Sequence, residues 1–217
     1  MTFAAGFHQF RREGHLTQER AEAVITLCTE QGFPYWLAWG TILRGWALAE
    51  QGQGEEGIAQ MRQGLAALRA TGAEYMRTHF LALLAEAYGK VRQTEEGLSA
   101  LAEALAVVDK NGEHMWEAEL YRLKGELTLK ESRVQGLESS VQKEAEECFL
   151  KAIEVSRHQQ AKSLELRAVM SLSRLWRQQG KKEEARRMLE EIYGWFTEGF
   201  DTADLRGAKA LLEELSH

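Results

Sequence analysis

Gly32, Gly72 and Gly112 stand at successive steps of 40 residues. A second series runs in the same period: Gly57 in Gly54-Glu55-Glu56-Gly57-Ile58 and Gly97 in Thr94-Glu95-Glu96-Gly97-Leu98 are also 40 apart. Ala145 and Ala185, each preceded by Glu, continue it, 40 apart from one another and displaced by 48 from Gly97 to Ala145. Self-similarity at such a period constrains the fold more than any other feature. Each repeat is one supersecondary piece that cannot bury its apolar face alone, so neighbours must stack. Each repeat reads as two helices. The first begins near Trp36, Tyr75, Met115 and Leu164, and the second just before the small residues named above. Gly32, Gly72 and Gly112 suit the left-handed conformation that ends a helix. Gly52 and Gly180 mark the tight turn within a repeat. Eight extra residues fall within 131–142, where Ser, Gly and Val read as a longer loop inside the third repeat, tolerated rather than functional.

Composition supports helices throughout. Ala, Leu, Glu, Arg, Gln and Lys dominate, all strong helix formers, and the one proline is Pro34. β-Branched runs that would build a sheet are nearly absent. The 27 basic and 33 acidic residues are interleaved, as on solvated helix faces, and the net charge of −6 lacks the basic stripe a nucleic-acid binder needs. Cys28 and Cys148 match no metal or redox spacing and fit a reducing cytoplasm. No apolar run is long enough to span a membrane, and no signal peptide opens the chain. A soluble, cytoplasmic, all-α protein is expected.

Within each repeat, a small residue on the first helix (Gly45, Ala85, Gly125, Ser173) admits the second helix closely. A bulky residue follows three later (Leu48, Tyr88, Trp176), although Thr128 departs from this. On the second helix an apolar residue follows four after the small one: Met61, Leu101, Phe149, Leu189. This pattern resembles the tetratricopeptide (TPR) repeat, in the long-helix form of about 40 residues seen in maltose-activator-like bacterial regulators. Residues 31–40 (Gln-Gly-Phe-Pro-Tyr-Trp-Leu-Ala-Trp-Gly), 44–52 and 191–205 resemble, more narrowly, the C-terminal repeat regions of bacterial signalling proteins. Those proteins carry an adenylate/guanylate cyclase domain and an ATPase-like module upstream. The resemblance covers essentially the whole chain and implies a right-handed superhelical solenoid of antiparallel helix pairs. It carries over no catalytic residue. The expected division of this single domain is a partial repeat 1–32, full repeats 33–73, 74–113, 114–161 and 162–200, and a capping helix over 201–217. Residues 4–12 keep the phase of a shortened first helix, and 17–28 supply its partner. Asp201 or Thr202 can cap the last helix, 204–215, whose acidic outer face closes the stack. The N-terminal end is left open, a candidate self-association surface.

Candidate catalytic features do not converge. Gly52-Gln53-Gly54-Glu55-Glu56-Gly57 has dinucleotide-binding spacing, but a helix precedes it, two glutamates would face the phosphates, and the repeat already explains its glycines. The six histidines show no helical zinc spacing, and the serines have no nucleophile-elbow context. No enzyme, cofactor or metal is expected. The informative surface is the concave face lined by the first helices. Its inward positions are Trp39, Ile42, Trp46 and Glu50; His79, Ala82, Glu86 and Lys90; Glu119, Arg122, Glu126 and Lys130; Arg167, Met170, Arg174 and Gln178. It runs from aromatic through mixed charge to basic. A protein or peptide partner could anchor on Trp39 and Trp46 and be steered by Arg167, Arg174 and Arg177, since arginines clamp carboxylates in pairs of hydrogen bonds. Against this, Trp36, Trp39 and Trp46 could serve packing, and the arginines could pair with Glu165 and Glu183. A sensor with a small ligand ringed by Trp39, Trp46, His79 and Glu86 is the second reading, and a structural spacer or oligomerisation element the third.

Overall fold

A computed structural model of the protein describes residues 1–131 and 138–216. Its described secondary structure is helical: α1 (Thr2–Phe10), α2 (Gly14–Gln31), α3 (Pro34–Glu50), α4 (Gly54–Ala70), α5 (Arg77–Lys90), α6 (Thr94–Asn111), α7 (Glu117–Glu131), α8 (Glu138–His158), α9 (Lys162–Gln178), α10 (Lys182–Tyr193) and α11 (Ala203–Leu215). The chain divides into two compact units, Met1–Val107 and Val108–His217.

The repeat is written in the backbone. Left-handed residues fall at Arg12, Gly32, Gly52, Gly72, Arg92 and Gly112, one every twenty positions, and again at Gln160, Gly180 and Gly199. Each reverses the chain between consecutive helices, so the two turns of a repeat use the same device. Arginine and glutamine hold it at φ +60°, +64° and +56° in three places, where a Cβ costs on the order of 1 kcal/mol.

In the first unit, α3 and α4 run antiparallel in unusually close contact. A Cβ on Gly45 would lie 2.6 Å from the Gly57 carbonyl oxygen, and one on Gly57 would lie 2.4 Å from that of Gly45. Farther along, a Cβ on Gly64 would meet Ile42 and the Ala38 carbonyl. The small residues predicted to admit the second helix therefore do so. α2 lies along the other side of α3, with Gly14 near Ala47 and with Val24 and Ile25 against Gly40. In the second unit, Phe149 of α8 fills the space that a Cβ on Gly125 of α7 would need. Ser173 of α9 takes the corresponding place, donating its hydroxyl to the Ala185 carbonyl (3.3 Å). α11 buries Leu205, Ala208, Leu211 and Leu215 and leaves Arg206, Lys209, Glu213 and Glu214 outside.

Four local expectations are corrected. α5 begins at Arg77 rather than Tyr75, because Met76 is itself left-handed (φ +63°). A 3-10 turn, His114–Trp116, precedes α7, which starts at Glu117 instead of Met115. α8 starts at Glu138, so part of the stretch read as a loop is an N-terminal extension of that helix; 132–137 lie outside the described residues. Thr202 stands at the N-cap of α11 in extended backbone, but its hydroxyl turns back to the Gly199 carbonyl (2.7 Å) and does not cap the helix.

Candidate functional site

The predicted concave positions divide between the two units. In the first, they come from α3 and α5 and meet α1. Trp39, Ile42, Trp46 and His79 are all buried, Trp46 to 1 % exposure. Ile42 packs against Gly64 of α4, and side chains of the N-terminal segment reach His79 and the acids beside Trp46. Gln9 is hydrogen-bonded to His79 Nε2 (3.1 Å), and the Phe10 ring packs on the His79 ring with centroids 5.4 Å apart. Arg12, held in its left-handed turn, extends to Glu86 and to Glu50 (3.4 Å). Glu86 also accepts from the indole N–H of Trp46 (3.2 Å), and Lys90 pairs with Glu50 (2.8 Å). Two cations thus meet two carboxylates over the Trp46 indole. Trp39 sits in an aromatic cluster with Tyr35, Trp36, Tyr75 and Phe80. The structure does bring Trp46, His79 and Glu86 together, but into packing. The space that a ligand would need between them is taken by Gln9, Phe10 and Arg12. Trp46 is the donor to a charged acceptor inside this cluster, not a projecting anchor.

In the second unit, Glu119, Arg122 and Glu126 lie at i, i+3 and i+7 on α7, one helix face. Arg122 is buried and engages Glu119 with two parallel hydrogen bonds (2.8 Å each), then Glu126 with a third (2.6 Å). Ser171 of α9 donates to the same Glu126 carboxylate (2.8 Å). Arg167 donates to Asp204 of α11 (2.7 Å) and lies 3.7 Å from Glu119. Arg177 is paired with Glu214. Met170 is buried, facing Gly207 of α11. The expected pairing of these arginines with Glu165 and Glu183 is corrected. Glu165 is taken by Arg157 (2.6 Å) and Lys162 (2.7 Å), and Glu183 by Arg186 (3.2 Å). The expected basic end is largely neutralised by Glu119, Glu126, Asp204 and Glu214.

Arg174 is the exception. It is exposed, and among the described residues it takes part in no hydrogen bond or ion pair. Loss of surrounding water lowers its pKa from the ordinary arginine value; Arg122 and Arg177 push the same way, against the attraction of Glu126. The guanidinium therefore lies near Glu126, Arg122 and Arg177 without a direct ion pair to any carboxylate among the described residues.

Sequence reasoning missed Gln9, Phe10, Arg12, Ser171 and Asp204. Only Arg12 carried a signal: it occupies the turn position that glycine holds at 52 and 180. It also did not single out two clefts in the first unit, each on the side of the second helices. One, of about 430 Å³, has an apolar floor of Leu65, Leu68 and Leu81 rimmed by Arg62, Arg69 and Glu103. The other, of about 410 Å³, lies among Ile25, Leu37, Thr41, Arg44 and Gln63. Gly52 to Gly57 form a turn between two helices and the start of α4, the wrong setting for a pyrophosphate. Among the described residues, no group of three or more His, Cys, Asp or Glu could hold a metal ion. No helix of the described residues is long and apolar enough to cross a membrane.

No family model and no curated protein matches the chain. Solved structures do. A kinesin-light-chain-like protein of Podosopora anserina with nearly identical TPR-like repeats superposes with a TM-score of 0.56 at 18% identity, covering 89% of this chain and 92% of that one. A single-substitution form of the same protein gives 0.58 at 17% identity, covering 89% and 91%. The fold is that of a TPR-like repeat array. At this identity the likeness extends to the arrangement of helices and no further.

Proposed function

We propose that the protein is a non-catalytic scaffold that binds an acidic protein or peptide segment, with Arg174 as its point of contact. The observation that carries this reading is the state of Arg174. Its neighbours Arg122, Arg167 and Arg177 are each paired with a carboxylate within the fold, while its own guanidinium makes no direct ion pair and feels Glu126, already bonded to Arg122, only at longer range. A partner's Asp or Glu would supply the missing acceptor as a charge-assisted, two-pronged pair. Glu126 and Arg177, on either side, would orient it. TPR-like architecture supports this reading, since stacked helix pairs present extended surfaces. The resemblance of 31–40, 44–52 and 191–205 to the repeat regions of cyclase–ATPase proteins supports a regulatory place in a larger bacterial signalling protein. The two buried, unpaired cysteines fit a cytoplasmic setting.

Trp39, Ile42, Trp46 and His79 have no part in this contact, because all four are buried within the first unit. The burial also weighs against a sensor for a small ligand among Trp46, His79 and Glu86. An array of acidic and neutral peptides, read by fluorescence anisotropy against the wild type and Arg174→Gln, tests the proposal. Acidic peptides should bind with an affinity that falls as salt rises, and Arg174→Gln should weaken them about tenfold or more. Equal binding by the variant, or no preference for acidic sequences, would refute it.

A further inference from the structure

The two clefts of the first unit occupy the same place in consecutive repeats. Ile25, Leu37, Thr41, Arg44 and Gln63 line one, and each position recurs 40 residues later in the other, as Leu65, Arg77, Leu81, Leu84 and Glu103. Each cleft thus lies between two successive second helices and is floored by the first helix between them, α3 in one and α5 in the other. Their chemistry differs. Over α3 the cleft is braced from wall to wall, because Arg44 donates to Glu22 of α2 (3.1 Å) and to Gln60 of α4 (2.8 Å). Over α5, Leu81 and Leu84 replace Thr41 and Arg44, so this brace is gone and the floor is apolar.

The cations of the α5 cleft stand at its rim instead. Arg77 is paired with Glu74 (2.9 Å) and with Glu103 of α6, so the cleft's own carboxylates are both engaged. α4 adds Arg62 and Arg69, where α2 has Glu22 and Thr29. Both line the cleft, both are exposed, and among the described residues neither takes part in a hydrogen bond or ion pair. Together with Leu65 they lie at i, i+3 and i+7 on one face of α4, which sets the two arginines about 10.5 Å apart along the axis. A helix lying alongside α4 repeats that spacing with acids at i and i+7, and an aliphatic residue between them falls over Leu65. An extended chain presents same-face residues about 7 or 14 Å apart and matches less well. A fatty-acid-like ligand brings only one carboxylate.

We propose that the α5 cleft docks a helical segment of a partner protein. Two carboxylates of that segment, two turns apart, pair with Arg62 and Arg69, and an aliphatic side chain between them enters the cleft over Leu65 and Leu81. The α3 cleft, crossed by Arg44, takes no such segment. The proposal does not depend on the binding role of Arg174.

Fluorescence anisotropy with a labelled alanine-based helical peptide of about 18 residues tests it. The matched peptide carries two glutamates two turns apart with a leucine midway, and the control moves the second glutamate to the opposite helix face. The protein used carries Arg174→Gln, so that binding at the other proposed contact is not mistaken for this one. The matched peptide should bind about fivefold or more tightly than the control. Adding Arg62→Glu and Arg69→Glu should abolish that preference and favour a peptide with lysines in place of the glutamates, with unchanged helical circular dichroism. If that charge-reversed protein fails to fold, Arg62→Gln with Arg69→Gln decides the matter, and should weaken the matched peptide about fivefold or more. Arg44→Gln, in the other cleft, should leave both affinities unchanged. Equal or absent binding of the two peptides overturns the proposal, as does a preference that survives loss of both arginines or disappears with Arg44→Gln.

Discussion

Replacing Gly45 with alanine should destabilise the protein even though alanine is the better helix former. Two effects oppose one another. In the interior of a helix, Gly→Ala gains about 1 kcal/mol from reduced backbone entropy in the unfolded chain and better propensity. At Gly45, however, the new Cβ would lie 2.6 Å from the Gly57 carbonyl oxygen, 2.7 Å from Met61 Cγ and 2.9 Å from Met61 N. Favourable contact needs roughly 3.5 Å, so α4 must back away by most of an ångström. Two of those three atoms are backbone, which cannot rotate aside. Overpacking of this kind costs about 1–3 kcal/mol, and the retreat also loosens contacts along the whole α3–α4 seam, including Gly64 against Ile42. The net expectation is a loss of about 1–2 kcal/mol, or roughly 3–6 °C in a chain of this size. Gly6 in α1 is the internal control, since a Cβ there meets nothing within 4 Å. Gly6→Ala should therefore raise stability by up to about 1 kcal/mol through propensity alone. Thermal and urea melts followed by circular dichroism give both numbers. If Gly45→Ala melted at or above the wild type, the reasoning that backbone contact sets the α3–α4 spacing would be refuted.

The buried Arg122 should be worth more to stability than any surface pair. Arg122→Ala leaves Glu119 buried without its two-pronged partner and should cost about 3 kcal/mol in urea unfolding, whereas Arg186→Ala, which frees only exposed carboxylates, should cost under about 1 kcal/mol. Glu165 supplies a pH signature. Burial alone would raise its pKa, but hydrogen bonds from Arg157 and Lys162 outweigh that and hold the carboxyl below its usual value of 4.5. A carboxyl whose pKa is lower folded than unfolded contributes stability that is fully present above 4.5 and is lost as the pH falls through the folded value. Melting temperature measured down through that acid window should fall less steeply for Glu165→Gln than for the wild type, and parallel curves would contradict this.

The helices and their order could be read from the chain because the information is local. A glycine every 40 residues, a small residue paired with a bulky one three later, and helix formers between them specify turns and helices through contacts within a few residues. Gly45 and Gly125 were legible as points of close approach for the same reason. Boundaries slipped where local rules were broken. Met76 adopts a conformation its side chain disfavours, and the start of α8 reaches into a stretch rich in Ser and Gly.

The sequence by itself determined the all-helical, two-helix repeat and which residues share one face of each first helix. Whether that face is open or filled was decided by tertiary structure alone. Helical periodicity places Trp46, His79 and Glu86 on one side, yet it is blind to Arg12 and Gln9, which reach Glu86 and His79 from 74 and 70 residues away. The same holds for Arg167 and Arg177, whose carboxylate partners Asp204 and Glu214 come from a different helix. An arginine's charge is written in the chain, but whether it is satisfied depends on which acid packing delivers to it. That distinction separates Arg174 from its three neighbours.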